Sequence, residues 1–276
     1  MRTTTFSALT ALALALASCA APTAGDQSDT DSANDWRLEG QAMAATADVR
    51  ATDAALEAMR AGGTAVDAAI AAHAVLGLVE PQSSGLGGGG YMVVYERASD
   101  TTTVYDGRET APAAADENYF KWNGEVLGFG PAIYSGRSVG TPGLVALYKT
   151  AHNALGRRPW AENFNAAIKL GDEGFIVSPR LAGILPYGRF ADGPFASDPV
   201  TGPYFYPNGE ALVVGDRRIN TAYADTLRAV AAQGPSAFYS GQIAQDIVDA
   251  VQVGEIPGAL SLEDLANYET RSVPAV

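Results

Sequence analysis

The 276-residue chain carries 18 Lys and Arg against 31 Asp and Glu, a net charge of −13, and 47% of it is hydrophobic. That balance argues against nucleic acid as a partner, because phosphate binding needs a surplus of basic side chains, and the apolar content argues against a disordered chain. A chain this long buries a core without disulfide or metal support, and its single cysteine, Cys19, excludes an internal disulfide.

At the N-terminus, Arg2 precedes an apolar stretch from Ala8 to Ala17 that runs into Leu16-Ala17-Ser18-Cys19. About ten apolar residues are too few to span a bilayer but suit the core of a signal peptide. The ending resembles the bacterial lipoprotein signal, in which the cysteine is lipidated and becomes the new N-terminus. An ordinary secretory signal, cut near Ala20-Ala21-Pro22, is the alternative. Under both readings the protein is exported; under the first it is periplasmic, and its only membrane contact is a lipid on Cys19. Residues 1–19 therefore read as a signal peptide, 20–38 as a flexible tether rich in Thr, Ser, Asp and Gly, and 39–276 as the folded body.

Within the body, Ala55, Leu56 and Met59 give a helical pattern over Thr52–Gly62, and Gly62-Gly63 supplies its stop. Thr64-Ala65-Val66-Asp67 reads as a cap with an acidic first turn, opening a helix from Ala65 to Val79 that is apolar on nearly every face. Asp67 and His73 interrupt that run and argue against a membrane span. Tyr91–Glu96 is β-branched and aromatic and predicts a strand, with Thr101–Tyr105 as its hairpin partner across Ala98-Ser99-Asp100. Asp106-Gly107-Arg108-Glu109-Thr110 is read as leaving the sheet. Further helices are predicted over 144–155, 161–171, 178–185, 221–232 and 236–253, with a short last one opening at Ser261. Residues 188–217, rich in Pro and aromatic side chains, receive no assignment. A short sheet flanked by helices is an α/β layered architecture, with strand direction left open.

Few residues carry recognisable chemistry. Gly85-Leu86-Gly87-Gly88-Gly89-Gly90 formally matches a dinucleotide-binding pattern, but that pattern works between a strand and a helix. Here the order is helix, glycines, strand, so nucleotide binding is set aside. The run is equally consistent with tight packing and with a pocket floor. His73 and His152 stand far apart without available cysteine, which disfavours a zinc site, and no G-x-S-x-G elbow exists. No cofactor is implied. Arg108 follows a strand end, where scaffolds present ligand contacts, and its guanidinium matches a carboxylate bidentately. On pattern alone, a structural ion pair with Asp106 or Glu109 is the stronger reading.

Several segments together resemble the γ-glutamyltransferases, also called γ-glutamyltranspeptidases. They are Val79-Glu80-Pro81-Gln82-Ser83-Ser84-Gly85-Leu86-Gly87-Gly88-Gly89-Gly90-Tyr91-Met92, Asp106-Gly107-Arg108-Glu109-Thr110-Ala111-Pro112, Gly140-Thr141-Pro142-Gly143 and Gly234-Pro235-Ser236-Ala237-Phe238-Tyr239-Ser240-Gly241. The resemblance runs from Met43 to the end. It implies an N-terminal-nucleophile hydrolase with a four-layer αββα sandwich, only partly present in this chain. The family's precursor cleaves itself, and the new N-terminal threonine of its small subunit becomes the nucleophile. The threonine's free amine acts as general base. A γ-glutamyl group passes from a glutathione-like donor to the threonine oxygen and then to water or an amine. By this resemblance Arg108 grips the γ-glutamyl α-carboxylate, while Ser84, Gly85, Gly87, Gly88 and Gly89 support the pocket. The nucleophilic threonine segment is absent from these residues and is expected beyond Val276, so the chain alone is expected to be inactive. Two alternatives are a non-catalytic exported lipoprotein and a related acylase acting on cephalosporin side chains or poly-γ-glutamate.

Overall fold

Alanine content decides how the first helices pack. The computed structural model describes residues 42–191 and 193–275; the predicted signal peptide, Cys19 and the tether lie outside them. Helix α1 (Val49–Arg60) buries Ala51, Ala54, Ala55 and Ala58 against α2 (Ala65–Val79). These spacings put small side chains on one face, so the two helices approach closely. Ten of the fifteen residues of α2 are buried, as expected for a helix packed on several sides. Its N-terminus carries the predicted capping box: the Thr64 hydroxyl accepts from the Asp67 amide, and Asp67 accepts from the Thr64 amide at 2.8 Å.

The strands are β1 (Gly90–Glu96), β2 (Thr101–Gly107), β3 (Lys121–Trp122), β4 (Glu125–Val126), β5 (Phe175–Ile176), β6 (Arg217–Arg218) and β7 (Arg271–Pro274). The main sheet has the order β1-β2-β7, and all its pairings are antiparallel. The direction left open by the pattern is thereby settled. Strand β2 runs two residues beyond its predicted end, because Asp106 pairs with Tyr91 on one side and with Arg271 on the other. That second partner is 165 residues away and invisible to local pattern.

The helices after the hairpin are α3 (Phe129–Ile133), α4 (Leu144–Leu155), α5 (Asn165–Glu173), α6 (Pro179–Ile184), α7 (Gly188–Ala191), α8 (Pro194–Ser197), α9 (Thr201–Phe205), α10 (Thr221–Gln233), α11 (Ser236–Tyr239), α12 (Gly241–Gln252) and α13 (Leu262–Ala266). The helix predicted over 236–253 is two helices, since Ser240 is extended at φ −147°. The unassigned stretch after Gly188 contains α7 to α9, each too short to show periodicity. Its rings pack together, with Phe195 lying 5.2 Å from Phe205 and 5.4 Å from Phe190 between ring centroids.

Helix α4 lies against β1 and β2 on the sheet's inner face, where Met92, Val94 and Tyr105 join the core. The outer face presents Tyr91, Val93 and Tyr95 of β1 and Val273 of β7, all exposed among the described residues. Alternation along β1 thus gives one covered face and one bare apolar face.

Candidate functional site

Arg108 stands one residue beyond the end of β2. Three further segments converge on this strand end. The Gly88 carbonyl accepts from the amides of Gly143 (3.1 Å) and Leu144 (3.2 Å), which seats the glycine run on the start of α4. Thr110 and Thr141 form a short antiparallel bridge. The segment after α13 reaches across, with the Tyr268 hydroxyl donating to the Arg108 carbonyl at 2.7 Å and Arg271 pairing with Asp106 at 2.6 Å.

This convergence separates the two readings of the glycine run. A Cβ on Gly89 would lie 2.5 Å from the Gly107 carbonyl oxygen and 2.8 Å from the Glu109 amide, so Gly89 is needed for close packing. The Gly88 carbonyl has the capping contact just described. Gly85 and Gly87 meet no neighbour that a Cβ would strike, and Gly87 lines a cavity together with Arg108. Ser84 is turned toward α2, its hydroxyl 2.6 Å from Nε2 of His73. Upstream, buried Glu80 binds Ser178 (3.1 Å), Arg180 (2.8 Å) and Gln82 (2.7 Å), which ties the motif's first residues to α6.

The Arg108 side chain is 54% exposed, and its one ion-pair partner among the described residues is Glu109, at 3.3 Å. Of the two structural partners predicted, Asp106 instead accepts from the Arg108 backbone amide at 3.0 Å and pairs through its other oxygen with Arg271. The guanidinium keeps donors open to two adjoining cavities. One, of about 640 Å³, includes Thr110, Thr141, Tyr268 and Arg271; the other, of about 810 Å³, includes Gly87, Glu109, Tyr119 and Arg137. Both volumes lie within the range usual for small-molecule sites. Arg137 is already committed, donating to the carbonyls of Tyr119 and Lys121 and lying over the Tyr119 and Trp122 rings. No group of three or more His, Cys, Asp or Glu side chains lies together in metal-binding fashion among the described residues.

Burial pushes the His73 imidazole down to about 4 from its ordinary 6.5, so it is neutral at pH 7 where it meets Ser84. A folded value below the unfolded one means that stability is complete above pH 6.5 and declines as the pH falls toward 4. The expected loss over that window is about 3 kcal/mol. Urea unfolding followed across pH 7 to 4 should show it, and His73→Gln should flatten the slope; an unchanged slope would place the titration elsewhere.

Sequence reasoning missed Tyr268 and Arg271, because they carry no local motif and reach Arg108 only through the pairing of β7 with β2. Nε2 of His152 lies 3.0 Å from the Arg158 carbonyl and 3.4 Å from the Asp67 carboxylate.

Helices packed on one face of a short antiparallel sheet make a layered α/β protein, with a partly free arginine at a strand end beside two open cavities. The Gamma-glutamyltranspeptidase family pattern matches residues 51–276. The chain is 35% identical over 229 residues to the glutathione hydrolase proenzyme of Bacillus subtilis, covering 82% of this chain and 38% of that protein. Among solved structures, it is similar to the Helicobacter pylori γ-glutamyltranspeptidase, with TM-score 0.76, 28% identity and coverage of 84% of this chain and 65% of that one. The Bacillus anthracis transpeptidase CapD gives TM-score 0.67 and 29% identity, covering 85% of this chain and 71% of that one. The chain belongs to the γ-glutamyltranspeptidase family, enzymes with the N-terminal-nucleophile hydrolase fold. It spans well under half the length of the curated relative it matches.

Proposed function

We propose that this chain is the substrate-holding part of an exported γ-glutamyltransferase and glutathione hydrolase. In this reading Arg108 receives the α-carboxylate of a γ-glutamyl donor such as glutathione, and the Gly87 side of the glycine run supports the pocket. The observation that carries it is the state of Arg108: anchored through its backbone, paired on one side with Glu109, and otherwise open to both cavities. A guanidinium fork binds a carboxylate through two parallel hydrogen bonds, which an ammonium cannot reproduce.

The chemistry would come from a small subunit of the same precursor. Its N-terminal threonine attacks the γ-carbonyl carbon, and the threonine's own amine takes the hydroxyl proton. The peptide amine leaves with a proton, and water or an acceptor amine then releases the γ-glutamyl group from the threonine oxygen. The bare outer face of β1, with Tyr91, Val93 and Tyr95, is where the small subunit's sheet would pack to complete the four layers. The names of the matched relatives favour γ-glutamyl donors over the acylase reading. No described helix is long and apolar enough to cross a membrane, and export with lipidation of Cys19 belongs to this proposal.

Expression of the complete gene product in a Gram-negative host tests the reading. The precursor should split into two subunits and release p-nitroaniline from γ-glutamyl-p-nitroanilide. Labelled palmitate should enter the large subunit and be lost with Cys19→Ser. An unsplit product without activity would overturn the enzymatic assignment, and unlabelled wild-type protein would overturn the lipid anchor.

A further inference from the structure

Resting on the reading of Arg108 as the carboxylate clamp, we propose that Tyr268 is its positioning residue, aiming the guanidinium through the Arg108 carbonyl. The loop that leaves β2 is gripped by the segment 264–271 at three points. The Ala113 amide donates to Asp264 (2.8 Å), the Tyr268 hydroxyl donates to the Arg108 carbonyl (2.7 Å), and Arg271 pairs with Asp106 (2.6 Å).

Only the second of these touches Arg108 itself. The Arg271 side chain is 78% exposed, so its ion pair is screened by water and contributes little. The Asp264 contact lies five residues downstream. A hydrogen bond to the Arg108 carbonyl, by contrast, fixes the peptide plane on which the side chain is mounted. The backbone contact of the Arg108 amide with Asp106 fixes the preceding plane.

Tyr268 is itself held in place. Its ring stacks on Tyr239 with centroids 5.9 Å apart and planes 4° from parallel. The Tyr239 hydroxyl in turn donates to the Pro142 carbonyl at 2.9 Å and accepts from the Ala146 amide at 3.2 Å. A Cβ on Gly143 would overlap the Tyr268 hydroxyl, so the glycine in Gly140-Thr141-Pro142-Gly143 leaves the space that this hydroxyl occupies. Burial, and then the Asp106 and Glu109 carboxylates, raise the Tyr268 phenol above its ordinary value, and at neutral pH it carries its proton as an unperturbed tyrosine does. The geometry therefore places a rigid phenol, on a firm aromatic base, against the one residue whose direction matters for the ligand.

The test uses the complete processed enzyme with γ-glutamyl-p-nitroanilide, comparing wild type, Tyr268→Phe, Arg108→Ala and the double variant. Tyr268→Phe removes only the hydroxyl and leaves the stacked ring. It should raise KM roughly three- to tenfold, the range expected for loss of one hydrogen bond, with kcat within about twofold. In the Arg108→Ala background the same substitution should change kcat/KM by less than about twofold, because the group being aimed is gone. An undiminished effect in that background would mark Tyr268 as a general structural residue and overturn the proposal, as would an unchanged KM in Tyr268→Phe. If Arg108→Ala alone leaves KM unchanged, the clamp reading falls and this inference falls with it.

Discussion

Arg108→Ala, made in the complete processed enzyme, is expected to raise KM for γ-glutamyl donors by roughly 30-fold or more. That factor corresponds to at least about 2 kcal/mol, the lower end for losing one partner of a hydrogen-bonded charge pair. The expectation rests on how little of the side chain is otherwise engaged, since Glu109 is its one ion-pair partner among the described residues. The fold should survive the substitution, because the structural contacts at this position run through the backbone, to Asp106 and Tyr268. Arg108→Lys should recover only part of the affinity, since an ammonium cannot match both carboxylate oxygens. Steady-state kinetics with γ-glutamyl-p-nitroanilide and with glutathione measure the effect. An unchanged KM for both would remove Arg108 from the donor site.

Asp67→Ala should have the largest effect on stability. Asp67 is fully buried. Its carboxylate accepts from the amides of Thr64 (2.8 Å), Arg157 (2.9 Å) and Arg158 (3.4 Å) and from Nδ2 of Asn163 (3.1 Å). Burial alone would raise its pKa, but these hydrogen bonds together outweigh burial and hold it below the usual value. Alanine would leave several buried donors without a partner and detach the start of α2 from residues 157–163. The cost is expected to be about 3–5 kcal/mol, or roughly 10 °C in Tm for a body of this size. The carboxylate's contribution is present above its ordinary pKa and is lost as the pH falls through the depressed folded value. Thermal unfolding of Asp67→Ala and Asp67→Asn at pH 7, followed by circular dichroism, checks this. A Tm within about 2 °C of wild type for Asp67→Ala would contradict the central role given to the carboxylate.

Local chemistry made some of these features legible in advance. Thr64 and Asp67 announce a helix start because a capping box is complete within four residues. The hairpin of β1 and β2 shows in its β-branched and aromatic runs because its turn is short and its register local. The motif series from Val79 to Gly90, with Arg108 close behind, pointed to the family because each segment is long and their order is kept. Two misplacements and one unassigned stretch have physical causes. The break at Ser240 is a backbone angle that leaves no mark on hydrophobic period, the helices α7 to α9 are shorter than the period used to find them, and the end of β2 depends on a distant strand.

The glycine run shows where sequence stops and structure begins. By sequence alone, Gly85 to Gly90 is balanced between packing and pocket, and Arg108 leans toward a structural ion pair. Close approach to Gly107 and Glu109 accounts for Gly89, while Gly87 faces the cavity that Arg108 shares. Asp106, one of the two predicted partners of the Arg108 side chain, turned out to be taken by Arg271. The sequence by itself determined the family, the capped alanine helices and the identity of the arginine, because these are written in contiguous residues. Which donors of that arginine stay open, and that the Tyr268 hydroxyl binds its carbonyl, only the tertiary structure decided. The Arg108–Tyr268 and Asp106–Arg271 contacts join residues more than 100 positions apart, and nothing local to either partner records them.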